Sequence, residues 1–378
     1  MIKEQPTVLV CPLDWGLGHA SRMIPVIHRF MRNGFQVMLG GSGQSGELLK
    51  TTFPELQFIY LPSPVIHYGP GKLLIPKLLL QLPCLIWSVF REHRLVKEVV
   101  KEHHIDVLVS DNRYGLFCKN KHCIFVTHQV SPVLPRIFRW LEYPVYLLIK
   151  SIIHQYDECW IPDWADAGKN LSGKLSHRFT PPRNARYIGI LSRFRDLPSG
   201  QESLTDTRYE LAVVLSGPEP QISILDKLIR DQLPLMALRT IVISGMREHG
   251  VKKRVNESDL LTVVPHLPFY DFQRILSDAN LVICRSGYSG IMDLVALGKT
   301  AFLIPTPGQP EQEYLAIYLS EKGLFQYARQ KNFNLVSAIN WMKNDPPSKF
   351  IMPHDEPAAY AVFSVLDQKY HKDGQYSQ

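Results

Sequence analysis

The sequence predicts an α/β protein made of two doubly wound, parallel-sheet, Rossmann-like domains facing across a cleft. Short β-branched runs alternate with amphipathic segments through the first half, a pattern that needs a buried parallel sheet covered by helices. The same alternation restarts at residue 211, and 378 residues suffice for two domains of ordinary size. The boundaries that follow are 1–195 and 208–350, with a C-terminal helix or tail over 351–378 packing back toward the first domain. The stretch 193–207, rich in Pro, Gly, Ser, Asp and Arg, reads as a linker.

Element by element, 7–11 reads as a buried strand, followed by the loop Gly16-Leu17-Gly18-His19. Met23, Val26, Ile27, Phe30 and Met31 then recur at helical spacing, with Ser21 as the expected N-cap, Pro25 near the first turn and Asn33-Gly34 as the stop. Further strands are expected at 36–39, 58–61, 106–110, 123–127, 159–161 and 187–190. In the second half, a strand at 211–215 leads into Ser216-Gly217-Pro218-Glu219-Pro220 and a helix carrying Ile222, Leu225, Leu228 and Ile229. Strands at 240–243, 261–264, 281–284 and 301–304 complete a second sheet. Sheets of this kind bind ligands beyond the carboxyl ends of their strands.

Composition removes several functional classes. With 45% hydrophobic and 20% charged residues the chain has ample material for a core, which excludes general disorder. Its net charge of +7 is dispersed and not gathered into a basic block, so no nucleic-acid partner is expected. The six cysteines form no C-x-x-C pair, and Cys118, His122 and Cys123 lack zinc-ligand spacing, so no metal site is expected. The first six residues hold no signal-peptide core, and a cytoplasmic protein is the expectation. The apolar stretch 73–90 is interrupted by Pro76, Lys77, Gln81 and Pro83 and suits no membrane span. Together with 133–153, where Trp140, Tyr143 and Tyr146 mix with Arg136, Arg139 and Lys150, it reads either as a pair of core helices or as a face resting on an anionic membrane surface.

Three places can carry chemistry. Gly16 and Gly18 sit where backbone can approach a ligand, and His19 beside them can take a proton from a hydroxyl near neutral pH, or merely bond the backbone at a helix start. Asp111, just beyond its strand, is a candidate to orient that base, or a turn residue of Ser110-Asp111-Asn112; His128 reaches the same edge and rivals either role. The third is Cys284-Arg285-Ser286-Gly287-Tyr288-Ser289-Gly290. There a buried strand ends in a small-residue loop opening a helix, so Ser286, Gly287, Ser289 and Gly290 can aim amides and hydroxyls at a phosphate. Asp293, opposite the apolar Ile291, Leu294 and Val295, is left free to accept from a ribose diol, or to serve as an ordinary helix-start acid. The loop 305–314 could bind sugar hydroxyls through Gln and Glu, though it is an ordinary Pro-rich loop taken alone.

Cys284-Arg285-Ser286-Gly287 with Asp293, and Pro305 followed by Gln312-Glu313-Tyr314, resemble the C-terminal donor domain of glycosyltransferase family 28. Gly16-Leu17-Gly18-His19 resembles that family's first glycine loop, and Gly189-Ile190-Leu191-Ser192-Arg193 its inter-domain segment. The resemblance implies a GT-B fold, with the acceptor on the N-terminal domain and the donor on the C-terminal one. It implies inverting, metal-independent transfer, without cofactor, from a UDP-sugar such as UDP-N-acetylglucosamine to the hydroxyl of a glycan or lipid-linked acceptor. It assigns Asp293 to the uridine ribose, and Ser286, Gly287 and Gly290 with Arg193 to the diphosphate. Gln312 and Glu313 go to the sugar, Phe269 lies near the base, and His19 is the catalytic base or an acceptor contact, with Asp111 as its partner in the His–Asp pairing of related glycosyltransferases. A cytoplasmic protein peripheral on the inner face of the cell membrane would suit such an acceptor. The chain departs from the family in having one glycine fewer in the first loop. Pro218 and Pro220 also stand where a glycine-rich phosphate loop is expected, and proline has no N–H to donate. The alternatives are a UDP-sugar 2-epimerase on the same fold and a non-catalytic nucleotide-sugar-binding protein.

Overall fold

The structure is a computed structural model that describes residues 5–64, 74–195, 208–245, 255–256, 258–265 and 267–344, and positions 363, 366 and 370. The chain divides into two compact units. One ends at Ser192 and is rejoined by the segment from Pro353; the other runs over Arg193–Met352. Of the linker expected at 193–207, residues 196–207 lie outside the described residues.

The first unit holds seven parallel strands: β1 (Thr7–Pro12), β2 (Gln36–Gly41), β3 (Gln57–Tyr60), β4 (Val107–Asp111), β5 (His122–Val126), β6 (Glu158–Ile161) and β7 (Ala185–Tyr187). Their order across the sheet is β3-β2-β1-β4-β5-β6-β7. The direction of winding reverses between β1 and β4, which pair Val8 with Val107 through Pro12 with Asp111. Open α/β sheets bind ligands at this switch point. The sheet packs Leu9, Leu108, Phe125 and Ile161 against Val96 and Val100 of α3 (Leu74–Glu102) and Tyr146, Ile149 and Ile153 of α4 (Glu142–Ile153). Phe363 lies 5.2 Å from the ring of Phe30 and 5.1 Å from Trp160, so this side chain packs on the first unit.

The second unit repeats the plan with β8 (Leu211–Val214), β9 (Thr240–Ile243), β10 (Val255–Asn256), β11 (Leu261–Val264), β12 (Leu281–Cys284), β13 (Phe302–Leu303) and β14 (Gln326–Tyr327). The order is β10-β11-β9-β8-β12-β13-β14, and among the described residues only the short β10 runs antiparallel. Its switch point lies between β8 and β12. Two doubly wound sheets are therefore present, as the alternating pattern required.

Local expectations needed correction. Helix α1 (Leu17–Arg32) starts five residues earlier than an N-cap at Ser21 would set it. Its N-cap is Gly16 at φ 123°, a backbone state that favours glycine, and Ser21 lies one turn inside, donating its hydroxyl back to the Leu17 carbonyl at 2.8 Å. Pro25 accordingly sits mid-helix and not near the first turn. The strand expected at 187–190 is displaced to Ala185–Tyr187, because Gly189 turns to φ 74° and leaves the extended region. The two apolar-basic stretches are not wholly core: Trp87, Phe90, Ile137, Trp140 and Leu148 are each more than 60% exposed. Among the described residues, no helix is long and apolar enough to cross a membrane.

Candidate functional site

In the first unit, the ends of β1 and β4 are tied at the switch point, where Leu13 N–H donates to the Asp111 carbonyl at 3.1 Å. Asp111 is the last residue of β4, not a residue beyond it. The turn follows at Asn112, which takes φ 54°. That strand-end placement buries the Asp111 carboxylate fully and aims it at the first turns of α1. His19 Nδ1 lies 3.0 Å from Asp111 Oδ2. Arg22, one helical turn after His19, lays its guanidinium along the same carboxylate. Its Nε is 3.0 Å from both oxygens and Nη2 makes a further short contact with Oδ1. Arg22 Nη1 reaches His128 Nδ1 at 3.0 Å. Burial pushes the Asp111 carboxyl up, but the Arg22 guanidinium and His19 outweigh it and hold the group below its ordinary value. A charged carboxylate is thus kept in a dry site, oriented on an imidazole.

The sequence reading placed His19, Asp111 and His128 at one edge, and the structure brings them together. It missed Arg22, which is 2% exposed. No signal pointed to it, because a helix expected to start at Ser21 leaves His19 in the preceding loop and gives the two residues no shared helical face. Trp15, 40% exposed in the glycine loop and pinned by its Nε1–H donating to the Pro64 carbonyl at 2.7 Å, was also missed. A Cβ at Gly16 would meet no atom within 4 Å, so there is open space over this loop.

In the second unit, β12 ends at Arg285-Ser286-Gly287 and α8 (Tyr288–Ala296) begins, with Gly287 as N-cap. Ser289 and Gly290 therefore lie inside the first helical turn and not in a loop. Hypothetical Cβ atoms at Gly287 and Gly290 meet nothing within 4 Å, so the helix N-terminus opens onto space. Its positive dipole end suits an anion. Ser286 is fully buried and its hydroxyl donates to the Gln312 carbonyl at 2.8 Å, so that proton serves the fold. The buried Arg285 donates to the carbonyls of Ile304 at 3.1 Å, Pro305 at 3.4 Å and Gln221 at 2.7 Å. Burial lowers its pKa to about 10. Arg285 thereby knits the ends of β12 and β13 to α6 (Gln221–Arg230). Nothing in the sequence distinguished this anchor from a solvent-facing loop arginine.

Asp293 is not free. It is 4% exposed, and Arg193 Nε donates to its Oδ2 at 3.0 Å. The short helix α8 is buried on nearly every side, which leaves no polar face for Asp293 to occupy. The Arg193 guanidinium also lies over Phe272 at 4.7 Å, Phe194 at 5.1 Å and Phe269 at 5.8 Å. Phe269 begins α7 (Phe269–Asp278) and does not precede a turn. On α9 (Pro310–Glu321), Gln312 Oε1 accepts from Thr306 N–H at 2.9 Å and Glu313 Oε1 accepts from Gly308 N–H at 3.0 Å, so both brace the loop before their own helix. Thr306 Oγ1 is buried without a hydrogen-bond partner, 3.4 Å from where a Cβ of Gly217 would stand. Gly217 takes φ 113° in the loop carrying Pro218 and Pro220. Among the described residues, no group of three or more His, Cys, Asp or Glu side chains is placed to hold a metal ion.

Paired sheets of this winding define the GT-B class of folds. A glycotransferase of kitacinnamycin superposes over 98% of this chain and 96% of its own, with a TM-score of 0.63 at 12% identity. A structure described as a UDP-N-acetylglucosamine 2-epimerase from Listeria monocytogenes superposes over 99% of each chain, with a TM-score of 0.60 at 12% identity. Residues 213–364 match the Glycosyltransferase family 28 C-terminal domain. In Desulforudis audaxviator (strain MP104C), the UDP-N-acetylglucosamine--N-acetylmuramyl-(pentapeptide) pyrophosphoryl-undecaprenol N-acetylglucosamine transferase is 37% identical over 115 residues, 28% of this chain and 30% of its own. The chain spans half or less of the length of the curated relatives it matches.

Proposed function

We propose that this protein is an inverting, metal-independent glycosyltransferase that moves a sugar from a UDP-sugar to a hydroxyl acceptor. The observation that carries the reading is His19 held by the buried Asp111 at 3.0 Å, in a chain whose residues 213–364 match the family 28 C-terminal domain. Asp111 accepts the Nδ1–H of His19, which leaves Nε2 to take the proton of the acceptor hydroxyl. The acceptor oxygen then bonds to the anomeric carbon from the face opposite the leaving group. The bond from that carbon to the diphosphate oxygen breaks, and its electron pair leaves with UDP. The charge growing on UDP is offset at the N-terminus of α8, where Gly287 and Gly290 leave space for a close approach. Thr306, with an unpartnered buried hydroxyl, is a further donor to a ligand oxygen.

The acceptor is proposed to be lipid-linked. Support comes from the relatives' printed activity and from the exposed Trp87, Phe90, Ile137 and Trp140 with Arg91 and Arg139 nearby in sequence, a composition that suits an anionic membrane surface.

The test is turnover of UDP-N-acetylglucosamine with lipid-linked and soluble acceptors, run in a metal chelator. His19→Ala is expected to lower kcat by about 10²–10⁴-fold while leaving donor affinity nearly unchanged. An unchanged kcat removes His19 from the chemistry. The likeness to an epimerase fold supplies a second reading, and the nucleotide sugar incubated without acceptor separates the two. Accumulation of an epimer would favour epimerisation.

A further inference from the structure

Resting on the glycosyl-transfer reading above, we propose that Arg22 is a positioning residue that fixes opposite ring tautomers on the two histidines beside it. His19 is thereby the base, and His128 is not. A guanidinium carries only donors and an ionised carboxylate only acceptors. Arg22 Nη1 lies 3.0 Å from His128 Nδ1, so that nitrogen must offer a lone pair. The proton of the neutral His128 ring then sits on Nε2, where no lone pair remains to take another.

His19 is fixed the other way. Its Nδ1 lies 3.0 Å from Asp111 Oδ2, a contact that attracts only if Nδ1 carries the proton. Nε2 of the neutral ring is then bare. Arg22 Nη2 is also 3.0 Å from His19 Nδ1, but it is in short contact with Asp111 Oδ1, which can accept its hydrogen. The converse arrangement, with Arg22 donating to a bare His19 Nδ1, would set that lone pair against Asp111 Oδ2 in a buried site where such a clash is costly. His128 is 3% exposed and braces the far end of the guanidinium. Its Nε2 meets the Gln129 amide at 3.4 Å, and that amide can turn its oxygen toward the proton. One arginine, reaching a carboxylate and two imidazoles, thus decides which ring receives the acceptor's proton.

The experiment is nitrogen NMR of the full-length protein labelled at histidine, with the His19 and His128 signals assigned by loss in His19→Gln and His128→Gln. The expected result is a protonated Nδ1 and bare Nε2 on His19, with the reverse on His128. A bare Nε2 on His128, or a protonated Nε2 on neutral His19, overturns the proposal. Kinetics of Arg22→Lys add a second reading, because an ammonium keeps the charge beside Asp111 but cannot span to His128. Its kcat should fall about ten- to hundred-fold with KM for the donor within about two-fold, and the His128 signals should become a mixture of tautomers. An Arg22→Lys protein with unchanged kcat and unchanged His128 signals also overturns it. The tautomers are read without turnover. A wild type with these tautomers that transfers no sugar would sink the glycosyltransferase reading alone, and active protein with the wrong tautomers would sink this one alone.

Discussion

Three buried arginines, Arg22, Arg113 and Arg285, tie chain segments together near the strand ends. Arg22 lies on Asp111. Arg113 donates from Nε to Glu92 at 2.8 Å and from Nη2 to the Pro62 carbonyl at 2.8 Å, and Arg285 joins three backbone carbonyls. None was legible in the sequence, because an arginine's burial depends on partners far away along the chain. His19, by contrast, could be found from its place after a strand and two glycines. The Asp111 pair sets a pH dependence. Its carboxyl is held below the ordinary value, so the unfolded chain binds its proton more readily than the folded one. Its stabilisation is therefore complete above the unfolded-state value of about 3.9 and is lost as pH falls through the lower folded-state value. Urea midpoints measured across acid pH should fall for the wild type and show a shallower fall for Asp111→Asn. At neutral pH that variant should be less stable by about 3–5 kcal/mol, since Arg22 is left as a buried charge without its counter-ion.

At the level of elements, the strands were the readable part. Buried parallel strands write themselves as runs such as Thr7-Val8-Leu9-Val10 and Leu281-Val282-Ile283-Cys284, and these appear as β1 and β12. Helix starts were less readable: α1 begins at a glycine with an unusual φ, and its apolar stripe begins only at Met23. The face of α8 was misread because a helix buried all round has no polar side, so alternation cannot say where Asp293 points. That helix offers a direct test. Gly290→Ala places a methyl in open space and replaces a helical glycine, so the fold should be as stable as the wild type or more stable by up to about 1 kcal/mol. If the space is where the diphosphate sits, calorimetry should show UDP affinity falling at least about ten-fold, equivalent to about 1.4 kcal/mol. Unchanged affinity would move the diphosphate away from this helix end.

For the whole molecule, two switch points hold two different arrangements: a histidine paired with a buried carboxylate in the first unit and a helix N-terminus opening onto space in the second. The two sheets were foreseeable because the alternation of elements runs twice, whereas strand order and the pairing of β10 with β11 depend on contacts that no local pattern encodes. Trp87, Phe90 and Trp140 of the first unit are exposed aromatic side chains suited to a membrane interface. In vesicle sedimentation at low salt, the protein should bind anionic lipid, and replacing Trp87 and Trp140 by Glu should release it. Equal sedimentation with and without anionic vesicles would remove the membrane from the account. The most direct measurement is a crystal structure with UDP bound. The account predicts diphosphate oxygens within hydrogen-bonding distance of the backbone amides that follow Gly287; nucleotide bound elsewhere, with that helix end empty, would contradict it.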